Sequence, residues 1–282
     1  MRQSPKYKIY PSLLDKFQQY LDLDYENYWV CDNDGKWHRN FNASTGEFLL
    51  SYEDVEERAR QELISAINRE PIEVSEAACK GTAFNEIVDC IIMNKPCKRD
   101  DIKIKSQDFF ANGSKQVAYP CIKADIDGFT FYFDRKLCVD AANYFKGSLC
   151  QQYVSGTLDT QYGNVLLYGY IDYLRENKVF DAKTTKQYEF GKFSKSWQKH
   201  VYPYTLIESG KCTDINTFEY TVFQLTGGKS DYPLINGSMY KEEYVYDHKQ
   251  SEDRLRNICE HFIEFLEENK DSITDKKIFG NG

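Results

Sequence analysis

The stretch that most constrains this chain is Leu166 to Lys183, which reads Leu-Leu-Tyr-Gly-Tyr-Ile-Asp-Tyr-Leu-Arg-Glu-Asn-Lys-Val-Phe-Asp-Ala-Lys. Two runs rich in β-branched and aromatic residues flank the polar break Arg175 to Lys178, which is a hairpin signature. The loop is all four of those residues or only Glu176 and Asn177. Both share one centre, so both give one register, in which position 172 faces position 181. Directly opposed positions hold their Cβ atoms about 5 Å apart.

That register sets Asp172 against Asp181, with Lys183 two residues on and on the same face. Like charges directly opposite each other weaken a sheet. A divalent cation between the carboxylates reverses the sign, and hard cations such as Mg²⁺ take oxygen ligands. Lys183 adds a positive donor beside that position. The bland alternative is a surface hairpin with two solvated aspartates, and only the context of the motif separates the two.

The chain has 282 residues, which suits one large domain or two small ones, and its 41% apolar content fits a globular core. The net charge of −8 gives no global basic footprint for nucleic acid, although a local basic groove is compatible with an acidic total. Cysteines stand at 31, 79, 90, 97, 121, 138, 150, 212 and 259. Their number is odd and no pair has CxxC spacing, which argues against a disulfide framework and a zinc ribbon. Reduced thiols and a cytoplasmic location are the expectation. The opening Met-Arg-Gln-Ser-Pro-Lys-Tyr-Lys lacks the apolar core of a signal peptide, and no apolar run is long enough to span a bilayer. Asn-x-Ser sequences at Asn42, Asn112 and Asn236 are read as turns.

In chain order, Ser12 opens a short helix with Leu13, Phe17, Tyr20 and Leu21 on one face. Tyr28 to Phe41 reads as a hairpin around Asn33-Asp34-Gly35. Ser51 with Asp54 predicts a capped helix to about Asn68. Another helix is expected from near Gly81 to before Pro96, with Glu86 at the edge of its apolar face. Residues 97–128 give no clear assignment. Phe129 to Phe133 alternates like a strand, and Leu137 to Phe145 reads as a helix. Gln151 to Thr160 is a strand that joins the central hairpin in a meander. Six lysines interleaved with aromatics occupy Lys178 to Lys199, a composition suited to a phosphate backbone and stacked bases. Ser194 is the expected cap of a helix to about Ser209, on which Gln198 and Tyr202 share a face and Pro203 forces a kink or a short first part. Strands are expected over Thr217 to Leu225 and Met239 to Tyr246, then a last helix with the stripe Leu255, Ile258, Cys259, Phe262, Ile263 and Leu266. The tail after Asp271 is expected to fray. With no repeat and no linker, the economical reading is one domain over 1–282.

Helix with Glu86, strand with Asp172, strand with Asp181-Ala182-Lys183, helix with Gln198 and Tyr202: this order resembles the PD-(D/E)XK nuclease superfamily, in particular its RecB-like and phage-exonuclease branch. Lys80-Gly81-Thr82-Ala83-Phe84-Asn85-Glu86 is similar to the family's Gly-x-x-x-His-Glu helix, with Asn85 in the place of the histidine. Gly169-Tyr170-Ile171-Asp172 resembles its Gly-x-Ile-Asp strand, Asp181-Ala182-Lys183 its (Asp/Glu)-x-Lys strand, and Gln198 to Tyr202 its Gln-x-x-x-Tyr helix. Tyr10-Pro11-Ser12-Leu13-Leu14 is similar to the Ser-x-Leu helix near the start of such proteins.

The resemblance implies an α/β (α+β) fold with a restriction-endonuclease-like core over about 75–225, a central mixed β-sheet flanked by helices. It implies phosphodiester hydrolysis of DNA with Mg²⁺ or Mn²⁺, in an exonuclease of phage or recombination and repair type. Asp172, Asp181 and the Ala182 carbonyl would bind metal, and Glu86 a second metal or a ligand water. Lys183 would act on the attacking water or the developing charge, with Gln198 and Tyr202 in support. Lys186 and Lys195 are expected at the nucleic-acid backbone. Too few cysteines follow the core motifs for an iron–sulfur cluster. A single-strand annealing or recombination protein is the expected partner, and no membrane. Two alternatives stand beside this reading: a non-catalytic nucleic-acid-binding protein of the same fold, and a carboxylate-pair glycosidase, which would need about 5 Å between its acids and no metal.

Overall fold

The computed structural model describes residues 4–32, 34–71, 73–110, 118–228 and 233–280. Asn33 of the expected turn and the Asn112 sequence lie outside them. Strand β1 (Tyr7–Ile9) leads into helix α1 (Pro11–Leu21), where Pro11 occupies a first turn whose N–H groups lack helical partners. Two small hairpins follow, β2 (Trp29–Cys31) with β3 (Trp37–Arg39) and β4 (Phe41–Asn42) with β5 (Glu47–Phe48). Helix α2 (Tyr52–Ile67) starts as predicted, with the Ser51 hydroxyl accepting from Asp54 N. Helix α3 (Glu76–Met93) starts before Gly81, because Ser75 caps it by accepting from Ala78 N.

The unassigned segment holds two strands, β6 (Ile102–Phe110) and β7 (Ala118–Ile126), continued by β8 (Phe129–Asp134). Then come α4 (Arg135–Tyr144), β9 (Leu149–Thr160), β10 (Gly163–Arg175), β11 (Lys178–Thr185), α5 (Gln198–Glu208), β12 (Thr217–Thr226), β13 (Leu234–Val245) and α6 (His248–Glu268). Nine of these strands make one mixed sheet, with six helices around it among the described residues. No described helix is long and apolar enough to cross a membrane.

The path of the sheet is β1-β10-β11-β12-β13-β8-β7-β6, with β9 on the other edge of β10. β11 and β12 run parallel, which requires a crossover, and α5 supplies it. One face of the sheet carries a core built with α1, α2, α5 and α6, including Phe17, Leu63, Leu206 and Phe262. The other carries a core built with α3 and α4, including Phe84, Val88, Phe133 and Phe145.

Several local expectations give way to packing. Ser194 is not the cap of α5; that helix begins at Gln198, because the Asp15 carboxylate of α1 accepts from Trp197 N at 2.7 Å and fixes the start there. Only one turn and a half then precede Pro203, in keeping with its missing N–H. Among the described residues the tail does not fray: Ile273 and Ile278 are buried, a 3₁₀ turn spans Lys276–Phe279, and Asn68 Oδ1 accepts from Thr274 N. Asn236 lies within β13 rather than in a turn, whereas Asn42 does accept a turn bond from Gly46 N. Leu21 is 49% exposed at the end of α1 instead of facing the core.

Candidate active site

The central hairpin takes the shorter loop, Glu176 and Asn177, with Glu176 in the left-handed region. Its ladder pairs Arg175 with Lys178, Leu174 with Val179 and Tyr173 with Phe180. Extended by one step, this register brings Asp172 opposite Asp181, but the pairing ends before it. β9 already occupies the other edge of β10, so β1 and β11 share the remaining edge, β1 along Val165–Leu167 and β11 along Tyr173–Arg175. Between them β10 has no strand partner on that edge. There Asp172 Oδ2 accepts from Ala182 N at 2.9 Å, standing in for a backbone acceptor.

A change of face marks the same place. Val165, Leu167 and Ile171 pack in the α5-side core, yet Tyr173 packs in the α3-side core. Alternation would keep 171 and 173 together. On β9, Val154 and Leu158 pack on the α5 side while Cys150 packs on the other. The ladder between the two strands omits Gln151 and Asp172, and Gln151 has φ +50°. Both strands therefore swap faces at this step, and Asp172 sits on the swap.

Asp181 faces α5 and is 2% exposed. Gln198 donates to its Oδ1 at 2.8 Å, and Lys183 Nζ stands 2.7 Å from its Oδ2. Lys183 also donates to Gln198 Oε1 at 2.7 Å, closing a three-membered ring of side chains. Gln198 Nε2 lies 3.4 Å from the Tyr202 hydroxyl. Gly169 makes room for that ring: a Cβ on it would come within 2.9 Å of Tyr202 Cε1. The sequence does not signal Asp15, whose carboxylate accepts from Ser196 Oγ at 3.0 Å, with Ser196 Oγ 3.3 Å from Gln198 Oε1. Asp15 occupies an ordinary helix position in the sequence, so only its tertiary partners reveal it.

The electrostatics follow from the burial of like charges. Burial and then the Asp181 charge raise Asp172 to about 7, against the Ala182 N–H and Lys183. Burial raises Asp181 too, although Lys183 and Gln198 oppose it. Burial works against the Lys183 charge, but Asp181, Asp172 and Asp15 outweigh it, so its pKa rises.

The other predicted residues are placed as follows. Glu86 Oε1 accepts from Cys97 Sγ at 3.2 Å. Of the α3 acids it is Asp89, about one turn further on, whose charge weighs on Asp172. Asp89 is 4% exposed, accepts from Gln151 Nε2 at 3.1 Å, and is raised to about 6 by burial. Lys195 lines an open cleft of about 550 Å³ together with Asp15, Lys183 and Gln198, and its ammonium pairs with Asp22 at 2.8 Å. Lys186 lines a separate cleft of about 820 Å³ with Lys80, Thr184 and Gly228. The structure thus brings Asp172, Asp181, Lys183, Gln198 and Tyr202 together, and puts Lys186 and Lys195 on two different clefts at the end of β11.

No family model matches the chain, and no curated protein matches it. Among solved structures, it is similar to the crystal structure of SSO0001, with 11% identity over 45% of this chain and 55% of that one and a TM-score of 0.29. It is also similar to the crystal structure of Scheffersomyces stipitis Rai1 in complex with (3'-NADP)+ and calcium ion, with 14% identity over 93% of this chain and 60% of that one and a TM-score of 0.24. The chain spans less than two thirds of the length of either structure. Likenesses at this level leave the site to be read from its own geometry.

Proposed function

We propose that the chain is a metal-dependent nuclease that hydrolyses phosphodiester bonds of DNA, acting as an exonuclease in recombination or repair. The observation that carries this reading is the meeting of Asp172, Asp181 and Lys183 where β10 and β11 part, beside an open cleft. The donor set suits a hard cation. Asp181 Oδ2 is buried and faces the Lys183 ammonium at 2.7 Å. Asp172 uses one oxygen on Ala182 N. These two carboxylates and the Ala182 carbonyl would hold Mg²⁺ or Mn²⁺. Such an ion lowers the pKa of a bound water and neutralises charge on phosphate.

The side chains do the rest. Lys183, held between Asp181 and Gln198, is placed to orient a water or to meet charge developing on a phosphate oxygen. Gln198 fixes the direction of that ammonium and is itself set by its bond to Asp181 Oδ1. Asp15 anchors the start of α5, and so the positions of Ser196 and Gln198. Lys192 and Lys195 line the cleft and give it cationic groups for a phosphate backbone. A glycosidase fits less well, because an ammonium 2.7 Å from the inner carboxylate would oppose the positive charge that grows on the sugar.

Linear and circular DNA, single- and double-stranded, should be incubated with the purified chain and Mg²⁺, with and without EDTA. The expected result is release of nucleotides from linear DNA, none from closed circles, and none with chelator. Failure to cut any substrate with Mg²⁺ or Mn²⁺ overturns the reading in favour of a binding protein. Product analysis on end-labelled strands then gives polarity, and retention of a single-strand annealing protein on the immobilised chain tests the proposed partner.

A further inference from the structure

We infer that Glu86, Cys90 and Cys97 form a zinc site at the C-terminal end of α3, separate from the Asp172–Asp181 pair. Each offers one ligand atom, and all three atoms lie within 4.8 Å of one another. Neighbouring ligands of a tetrahedral zinc ion stand roughly 3.5 Å apart, given Zn–S near 2.3 Å and Zn–O near 2.0 Å. Cys97 Sγ and Glu86 Oε1 are already 3.2 Å apart, so side-chain adjustment alone would seat an ion.

The backbone explains why they meet. Glu86 and Cys90 are four residues apart on α3 and share one face. The helix stops at Met93, Asn94 turns the chain in the left-handed region, and Cys97 returns after Pro96. Two thiolates select zinc over Mg²⁺, whereas the all-oxygen pair Asp172 and Asp181 selects the reverse. Two thiolates and a carboxylate leave one net negative charge around a divalent ion. Arg99, held by Asp101, stands near enough to feel both Glu86 and Cys97. Without metal the thiols keep their protons: burial pushes Cys90 up to about 12, and Cys97 donates to Glu86. Zinc binding would therefore release protons and strengthen as pH rises. The ion would tie the end of α3 to the segment that leads into β6. All three residues are half-buried, which leaves a fourth position for water.

Co²⁺ alone is the probe, added to the whole 282-residue chain. The expected result is one thiolate-bound Co²⁺ per chain, counted by its thiolate-to-cobalt charge-transfer absorption, its loss when Zn²⁺ displaces Co²⁺, and protection of Cys90 and Cys97 from alkylation as mapped by mass spectrometry. Cys90→Ser and Cys97→Ser should each abolish the band. Cys31→Ser, on an exposed hairpin, should keep it, and Glu86→Gln should weaken binding with both thiols intact. Should a serine variant fail to fold, the alkylation map of the native chain decides. A missing band, a band that survives both serine variants, or a Cys90–Cys97 disulfide without metal overturns the inference. The thiolate-to-cobalt band does not report on the Asp172–Asp181 pair, so loss of the nuclease reading leaves this site standing.

Discussion

Two sets of buried acids share one sheet and differ in how they are satisfied. On β12 and β13, Glu219 and Glu242 are 0% and 1% exposed. Glu219 accepts from the Tyr144 hydroxyl at 2.8 Å and Thr221 Oγ1 at 2.6 Å, and pairs with Lys178 at 2.6 Å. Glu242 accepts from the hydroxyls of Tyr188 and Tyr244 and from Gly191 N. Around them the β12–β13 ladder runs unbroken from Thr217 to Thr226. On β10 and β11 the ladder stops after Tyr173 and Phe180, and the acids beyond it are under-supplied. Asp172 accepts from Ala182 N, and Asp181 from Gln198 and Lys183, whose single ammonium faces both carboxylate charges. A buried carboxylate with all its partners holds structure together; one left short of partners is costly and awaits a ligand.

The sharpest way to break this contrast is to neutralise one acid from each set. Asp181→Asn or Lys183→Ala should lower cleavage by about 10³-fold, on the scale of losing a preorganised charge-stabilising group. Far-ultraviolet circular dichroism should stay unchanged. A Lys183→Ala chain with native Mg²⁺-dependent turnover would sink the catalytic role of that side chain. Glu219→Gln should do the opposite. It takes one of two carboxylates from Lys178, which keeps Glu243, and leaves the Tyr144 and Thr221 hydroxyls a neutral acceptor; it should cost about 1–2 kcal/mol in urea unfolding, with cleavage per folded molecule preserved. If Glu219→Gln proves neutral in stability, satisfaction by partners is not what separates the two sets.

Part of this was legible in the residues. The register of the hairpin follows from its loop, so the opposition of positions 172 and 181 could be read before any fold was known. The Gln198–Tyr202 spacing placed both side chains on one helical face, and both reach Asp181 or its partner. The parting of the strands was not legible, because it depends on β1 and β9 taking up the edges of β10 from distant parts of the chain. Asp15 and Asp89 were hidden for the same reason: each looks like any helix acid until Trp197 or Gln151 arrives beside it. Residues 97–128 misled by their polarity. Ile102 and Ile104 alternate with Lys103 and Lys105 because β6 is an edge strand with one wet face.

A third test shifts the geometry instead of the charge. In Gly169→Ala the new methyl would lie 2.9 Å from Tyr202 Cε1 and 3.5 Å from Pro11 Cδ. Tyr202 must give way, and Gln198 loses its lateral support. Overpacking of this kind costs about 1–2 kcal/mol. Cleavage should fall about tenfold through misplacement of Lys183 and Gln198. Stability should fall with it. Normal turnover in Gly169→Ala would mean that Tyr202 does not position the ring of side chains.

The smallest effect, and the most direct reading of the under-supplied set, is on pH. Asp172 is raised to about 7, Asp89 to about 6, and Asp181 upward as well, in each case chiefly by burial. A carboxyl whose folded pKa exceeds its unfolded value binds its proton more tightly when folded. Its contribution to stability is complete below pH 4 and is lost as pH rises through the folded value. The metal-free chain should therefore lose thermal stability between pH 5 and 8, by about 2–4 °C for each kcal/mol. Mg²⁺ competes with those protons, so its stabilisation should be larger at pH 8 than at pH 5, about 1.4 kcal/mol at ten times its Kd. Asp172→Asn removes one of the titrating groups and one ligand, so its melting temperature should vary less with pH and respond less to Mg²⁺. Calorimetric melting of both chains at pH 5, 6, 7 and 8, with Mg²⁺ and with EDTA, makes the comparison. Equal Mg²⁺ shifts at every pH, or identical profiles for the two chains, would mean that the proton and the cation do not share the Asp172 site.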